Sequence, residues 1–270
     1  MQQVVVSQQT GYARNASESA YPNLWTGLVG WWLPSVNPRG GNRLFDLSPF
    51  RNHGTLTNMS NDDWVVSGGA GALDFDGVSN RVSIPANSAF APTNAAYSAW
   101  IKAASLTGTD KSFFSQISSG GDVGRALRRD TNQIQFTIAS SLGNYRVWRS
   151  TSTITTNWTH VCVTQIGVDT PKIYINGIES SVSLILSGGT PTPPTAQVLS
   201  LGFDGEFIQT LYNFAGLIDD CRIYSRALTP PEIRLLASKR GIGLQPRPKQ
   251  YTYSQTVTGS KRRRILTGMP

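Results

Sequence analysis

Charge is scarce in this sequence. Asp, Glu, Lys and Arg make up 15% of its 270 residues, and only four of these are glutamate: Glu18, Glu179, Glu206 and Glu232. With 39% hydrophobic residues, that balance disfavours a disordered chain. Cysteine is nearly absent as well, and two cysteines do not make a disulfide scaffold. Cys162 lies in "WTHVCVTQ" and Cys221 in "LIDDCRIY", both strand-like, and buried free thiols are favoured there over a Cys162–Cys221 bridge. No stretch approaches the roughly 20 apolar residues of a membrane span. The opening "MQQVVVSQQTGYARN" has no basic n-region, and its three valines are too few for a signal-peptide core, so signal-directed export is not expected. Only two histidines occur, and no P-loop, dinucleotide fingerprint or zinc spacing appears.

What is present is strand and turn. The 26 Gly and 15 Pro punctuate many short β-type runs. "ALDF" and "RVSI" flank the turn signal "DGVSN", "AAYSAWIKA" sets Tyr97, Ala99 and Ile101 against Ser98 and Lys102, and "PKIYINGIESS" turns at Asn176-Gly177. "NWTHVCVTQ" carries bulky groups on both faces. One helix is predicted in "ALTPPEIRLLASK", with Thr229 as N-cap, Pro230 first and Glu232 third, then Ile233, Leu236 and Ala237 as its apolar stripe. Gly241 can end it. About a dozen evenly spaced strands with one short C-terminal helix argue for an all-β, two-sheet antiparallel sandwich. The size of Trp31, Trp32, Trp100 and Trp158 suits them to the space between the sheets.

The ends differ from the body. Residues 1–26 are polar and aperiodic and read as an extended N-terminal arm, residues 27–240 as the domain, and residues 241–270 as a second, basic arm. The second arm holds six cations and no acid, so taking those six from the net charge of +8 leaves only +2 for residues 1–240. Lys261, Arg262, Arg263 and Arg264 could neutralise phosphates, but without interleaved aromatics they make no base-reading site, and nucleic acid is not the expected partner. These four, with Ile265 and Leu266, are instead assigned to contact with another protein chain.

Four stretches carry a family resemblance. They are "GLVGWWLPSVNPRGGNRLFDLSPFRNHGTLTNM" (27–59), "GALDFDGVSNRVSIP", "WTHVCVTQIGVDTPKIYINGIESS" and "FAGLIDDCRIYSRALTPPEIRLLA". In this order they resemble the laminin-G-like members of the concanavalin A-like lectin/glucanase superfamily, the first being similar to the opening of many bacterial and phage domains of the group. The resemblance implies a jelly roll. Because the superfamily includes enzymes and binders, activity does not follow from fold. The glucanase members use E-x-D-x-E or E-x-D-x-x-E, and no glutamate here has a partner at that spacing. Asp204 and Glu206 in "GFDGEFI" read as a solvated turn, and His53 and His160 have no recognisable nucleophile beside them. No enzyme is expected.

The resemblance also raises Ca²⁺, since relatives often hold it with aspartates. Asp76 and Asp219 match positions where acids recur, but two acids are few for a 6–8-coordinate ion, and acceptance of backbone N–H bonds is the favoured role. The expectation is a non-enzymatic structural component of a virus particle, most simply a tailed phage, anchored to virion proteins and copies of itself through its arms and able to bind host glycans. The virion, assembled in host cytoplasm, is its expected location. A carbohydrate-binding module of a bacterial surface or secreted protein is the alternative.

Overall fold

Hydrophobic alternation resolves into nineteen strands and one α-helix among the described residues of the computed structural model: 12–37, 40–118, 123–141, 143–204 and 210–247, and the backbone of 251–256 and 263–268. In chain order the strands are β1 Leu28–Trp32, β2 Arg43–Leu44, β3 Gly54–Thr57, β4 Trp64–Ser67, β5 Ala70–Asp76, β6 Arg81–Ile84 and β7 Ala95–Ala103. Then come β8 Lys111–Ile117, β9 Gly124–Asp130, β10 Gln133–Ser141, β11 Asn144–Ser150, β12 Thr159–Gln165 and β13 Lys172–Ile175. The last are β14 Ile178–Ser180, β15 Val182–Ser187, β16 Leu199–Leu201, β17 Ala215–Tyr224, β18 Tyr251–Thr256 and β19 Arg263–Gly268, with helix α1 at Pro230–Leu236. One sheet has eight strands, in the order β14-β13-β12-β7-β17-β5-β4, with β1 also paired to β17. The second has nine, β15-β11-β10-β9-β8-β16-β6-β3-β2.

Two adjacent rows across the nine-stranded sheet show how period-2 patterning builds it. Leu56, Val82, Leu201, Phe114, Leu127, Phe136 and Trp148 stand opposite one another in register, and all belong to the core between the sheets. The neighbouring row, on the outward face, reads Arg43, Thr55, Ser83, Ser200, Ser115, Ala126, Thr137, Val147 and Leu186. From the eight-stranded sheet, Tyr97, Ala99, Ile101, Val161, Val163, Ile218 and Ile223 fill the same core. The hairpin between β13 and β14 turns where the sequence places it, with Asn176 at φ 52° and Gly177 at φ 79°, the two left-handed residues of a two-residue turn.

Helix α1 starts at Pro230 and buries Ile233 and Leu236. The Glu232 carboxylate accepts from the Thr229 N–H at 2.8 Å and from Arg226 Nη2 at 2.6 Å, tying the first turn to the end of β17. With Leu24, Trp25, Leu28, Trp31 and Tyr224, the helix forms a second apolar cluster on the outer face of the eight-stranded sheet. The two cysteines divide between the clusters: Cys221 faces the core, Cys162 the outer layer, and both are free thiols. Their strand faces are opposite, so no bridge can form.

Two sequence expectations need correction here. Of the four tryptophans, only Trp32 lies between the sheets. Trp31 belongs to the outer cluster, while Trp100 and Trp158 are half-buried, the latter with the Arg240 guanidinium 4.1 Å from its ring. Parts of both segments read as arms are also packed against the domain. From Tyr12 the N-terminal segment is packed, with Ala13, Ser19, Leu24 and Trp25 buried. It is tied to the segment after α1 by Ala13 N–H to the Leu244 carbonyl and Arg247 N–H to the Glu18 carbonyl, each 2.8 Å. Farther on, β18 and β19 pair as a two-stranded sheet of their own, joined to neither sandwich sheet.

Candidate binding cleft

The first resemblance motif builds an open cleft at the β2 edge of the nine-stranded sheet. Its volume is about 430 Å³, within the usual range for ligand sites, and Asn42, Arg43, Arg51, Asn52, His53, Gly54, Thr55 and Pro85 line it. Strand alternation aims the walls. Arg43 and Thr55 oppose each other on the outward face, while Leu44 and Leu56 point into the core. Gly54 is required by crowding, because a Cβ there would meet Val82 Cγ1 at 2.4 Å.

Asp46 fixes the loop that follows β2. Fully buried, it accepts from the Trp31, Ser48 and Asn52 N–H groups and the Ser48 hydroxyl, each at 2.8 Å. Burial raises its pKa against these four bonds. Its own N–H donates to His53 Nδ1 at 2.9 Å, so in the neutral ring the proton is on Nε2. Burial and the Arg43 charge lower the His53 pKa from the usual 6.5, and the ring is neutral at pH 7. Asn52 contributes a carbonyl to Trp32 Nε1 at 2.9 Å and its side-chain oxygen to Asn87 Nδ2 at 3.1 Å, while its own Nδ2 has no partner. Arg51 holds a left-handed backbone at φ 57°, uncommon for a residue with a side chain.

The structure does not bring Asp76 and Asp219 together. Asp76 accepts from the Val78, Ser79 and Asn80 N–H groups at 2.8–2.9 Å in the β5–β6 turn. Slight burial opposes ionisation, but these bonds outweigh it and hold the carboxyl below its usual range. Asp76 stands opposite Ala215 in the sheet, and Asp219 lies four residues along β17, roughly 13 Å at about 3.3 Å per residue. Among the described residues, no group of three or more His, Cys, Asp or Glu could hold a metal ion. The pair does not fit a shared calcium.

Asp219 is instead 1% exposed, with Oδ1 accepting the Asp220 N–H at 2.7 Å and Oδ2 3.3 Å from Arg240 Nη1. Burial and the Asp220 charge push its pKa up from 3.8 to about 8. A raised carboxyl stabilises the fold fully below its unfolded pKa, and that contribution is lost as pH rises to the folded value. Asp219→Asn, which keeps an oxygen for the Asp220 N–H, should therefore gain melting temperature relative to wild type between pH 3.8 and about 8. A difference that shrinks over that span, in melts recorded at each pH, would contradict the assignment.

The other sequence candidates fall in varied places. Asp204 is not in a solvated turn: it is fully buried and holds Arg128 Nε at 2.8 Å, whereas Glu206 lies outside the described residues. His160 is a core histidine, its Nε2 2.9 Å from Ser98 Oγ, and burial lowers its pKa to about 3. In the basic run, Lys261 and Arg262 lie outside the described residues, while Arg263, Arg264, Ile265 and Leu266 form part of β19 opposite Ser254–Thr256 and Tyr253. Arg43, Arg51, Asn42 and Asn52 were not singled out in the sequence. Their only signal was the density of polar residues between two very short strands.

The comparisons agree with this architecture. No curated protein matches the chain. Among solved structures, the receptor-binding domain of a botulinum neurotoxin C/D mosaic serotype matches with 19% identity and a TM-score of 0.59, covering 78% of this chain and 51% of that one. A Trypanosoma rangeli sialidase matches with 20% identity and a TM-score of 0.57, covering 80% of this chain and 34% of that one. The chain thus spans about half the length of the toxin domain and a third of the sialidase, and at these identities the likeness is one of fold. The laminin-G family model described as concanavalin A-like lectin/glucanases superfamily matches residues 76–234, more than half the chain, with strands of both sheets, and the protein belongs to that superfamily.

Proposed function

We propose that this chain is a non-enzymatic, lectin-like binding module carried on a virus particle, that of a tailed phage. The sandwich presents its open cleft to host-surface glycans, and the C-terminal segment anchors the module to neighbouring virion subunits. The observation that carries this reading is the separation of the two parts. A complete sandwich holds a polar cleft at one sheet edge, and a hairpin containing Arg263 and Arg264 pairs with neither sheet. A lone two-stranded hairpin is at best marginal in water, so a partner surface is the natural setting for it. Among fold neighbours, a botulinum neurotoxin DC binding domain was solved in complex with SialylT, which supports glycan recognition as a use of this architecture. Among the described acids, Asp204 and Asp220 are buried against arginines, Asp219 lies beside Arg240 and Asp76 accepts turn N–H groups, which favours a binding role over hydrolysis.

Two measurements test the halves separately. Purified particles should contain the chain at fixed copy number by quantitative mass spectrometry, and the isolated chain should bind saccharides on a glycan array. Glycan binding without particle incorporation would favour the bacterial carbohydrate-binding module. Incorporation without any glycan binding would leave a purely structural subunit.

A further inference from the structure

Several side-chain donors on the cleft have no protein partner among the described residues. Arg43 and Arg51, both exposed on the cleft, have no ion pair among the described residues. The nearby carboxylate cannot serve them, because both Asp46 oxygens are taken by Trp31, Ser48 and Asn52. His53 adds a third donor at Nε2, since its Nδ1 already accepts the Asp46 N–H. Behind them Asn52 Nδ2, itself buried from solvent, is also without a partner. Arg51 keeps its left-handed backbone because the Asn52 N–H binds Asp46 Oδ2 and the His53 N–H donates to the Arg51 carbonyl at 3.0 Å. Such local strain, where the surroundings impose it, tends to mark a recognition site.

From these donors we infer that the cleft takes an acidic saccharide, its carboxylate or sulfate group received by Arg43 and Arg51 with His53 Nε2, and its hydroxyls by Asn42 and Thr55. The inference rests on the reading of the cleft as a glycan site and adds the sign of the ligand's charge. Guanidinium groups fit the planar or tetrahedral oxygens of such anions, and charge-assisted bonds are roughly twice as strong as neutral ones. A neutral sugar would leave two cations unneutralised. The backing acid at Asp46 is structural and does not compete.

The test is a titration of the full chain with three matched oligosaccharides of one skeleton: neutral, carboxylated and sulfated. At least one acidic form should bind roughly tenfold or more tightly than the neutral one, with affinity falling as salt rises. The double variant Arg43→Gln/Arg51→Gln should lose that preference while melting as wild type does, because both side chains are exposed. Equal affinity for neutral and acidic forms would overturn the inference and leave the glycan site standing. No binding of any sugar would remove both. A preference that survives the double variant would place the acid elsewhere and overturn the assignment, as would competition by inorganic sulfate alone at the strength of the sulfated sugar.

Discussion

Asp220→Ala should cost about 3–5 kcal/mol, the usual penalty for removing one partner of a buried ion pair. The carboxylate is 2% exposed and fully used. Oδ1 accepts from Trp31 Nε1 at 2.6 Å and Arg222 Nε at 2.8 Å, and Oδ2 from Arg222 Nη2 at 3.0 Å and the Gly241 N–H at 2.8 Å. Arg222 is fully buried, with its guanidinium 4.0 Å from the Trp31 ring centroid. Burial alone lowers its pKa, and the Asp220 charge outweighs that and holds the side chain charged. Without Asp220 the cation would remain in the outer layer uncompensated. A loss of that size is a large part of a domain's typical 5–15 kcal/mol. The double variant Asp220→Asn/Arg222→Met separates causes. It removes both charges, while Asn tolerates the left-handed φ of 50° and still offers an oxygen to Trp31. Most of the stability should return. Denaturant melts of the three proteins decide it, and an Asp220→Ala midpoint near wild type would sink the account.

That residue also shows where sequence reading stops. The closing motif "LIDDCRIY" was legible as a strand, and simple alternation after Ile218 puts Asp219 outward and Asp220 inward. The pairing of β17 with β7 shifts between Asp219 and Arg222, so one extra residue resets the faces. Cys221 and Ile223 then meet the core, and Arg222 and Tyr224 the outer layer. A bulge leaves no mark in a hydrophobic pattern until its partner strand is known. The same holds for the cleft. Its strands, β2 and β3, span only two and four residues, too few to show a period, and the loop between them is organised by Asp46 through backbone bonds that composition does not reveal. The strands of the central sheets were readable because they are long and have one or both faces buried. The outer layer was not, because it joins segments more than 200 residues apart, such as Ser19 Oγ with the Gly243 carbonyl.

Deleting the two ends should have opposite outcomes, although the sequence reads both as arms. Loss of residues 1–26 removes the buried Leu24 and Trp25, whose ring meets Trp31 edge-on at a centroid distance of 5.3 Å. It also removes the acceptors of Tyr224 Oη at Leu24 and of Arg226 at Asn23 and Thr26, and leaves the Gly243 carbonyl without Ser19 Oγ and Trp25 Nε1. Burying a leucine contributes about 1.5–3 kcal/mol and truncating a core tryptophan costs about 3–5 kcal/mol. The sum approaches the whole stability of many domains, so this variant should melt far below wild type or fail to fold. Loss of residues 248–270 removes β18 and β19, which pair only with each other, and the sandwich should melt within a few degrees of wild type. If the proposed anchoring is right, the second deletion should instead abolish most incorporation into particles. Each contact through Lys261, Arg262, Arg263 and Arg264 would be weak, about 0–1 kcal/mol for an exposed pair, so retention would rest on many copies acting together. Thermal melts and copy number per particle, measured on both truncations, give the result. A melting temperature near wild type without residues 1–26 would mean the N-terminal segment is the arm its composition suggests. Wild-type incorporation without residues 248–270 would mean that the basic end anchors nothing.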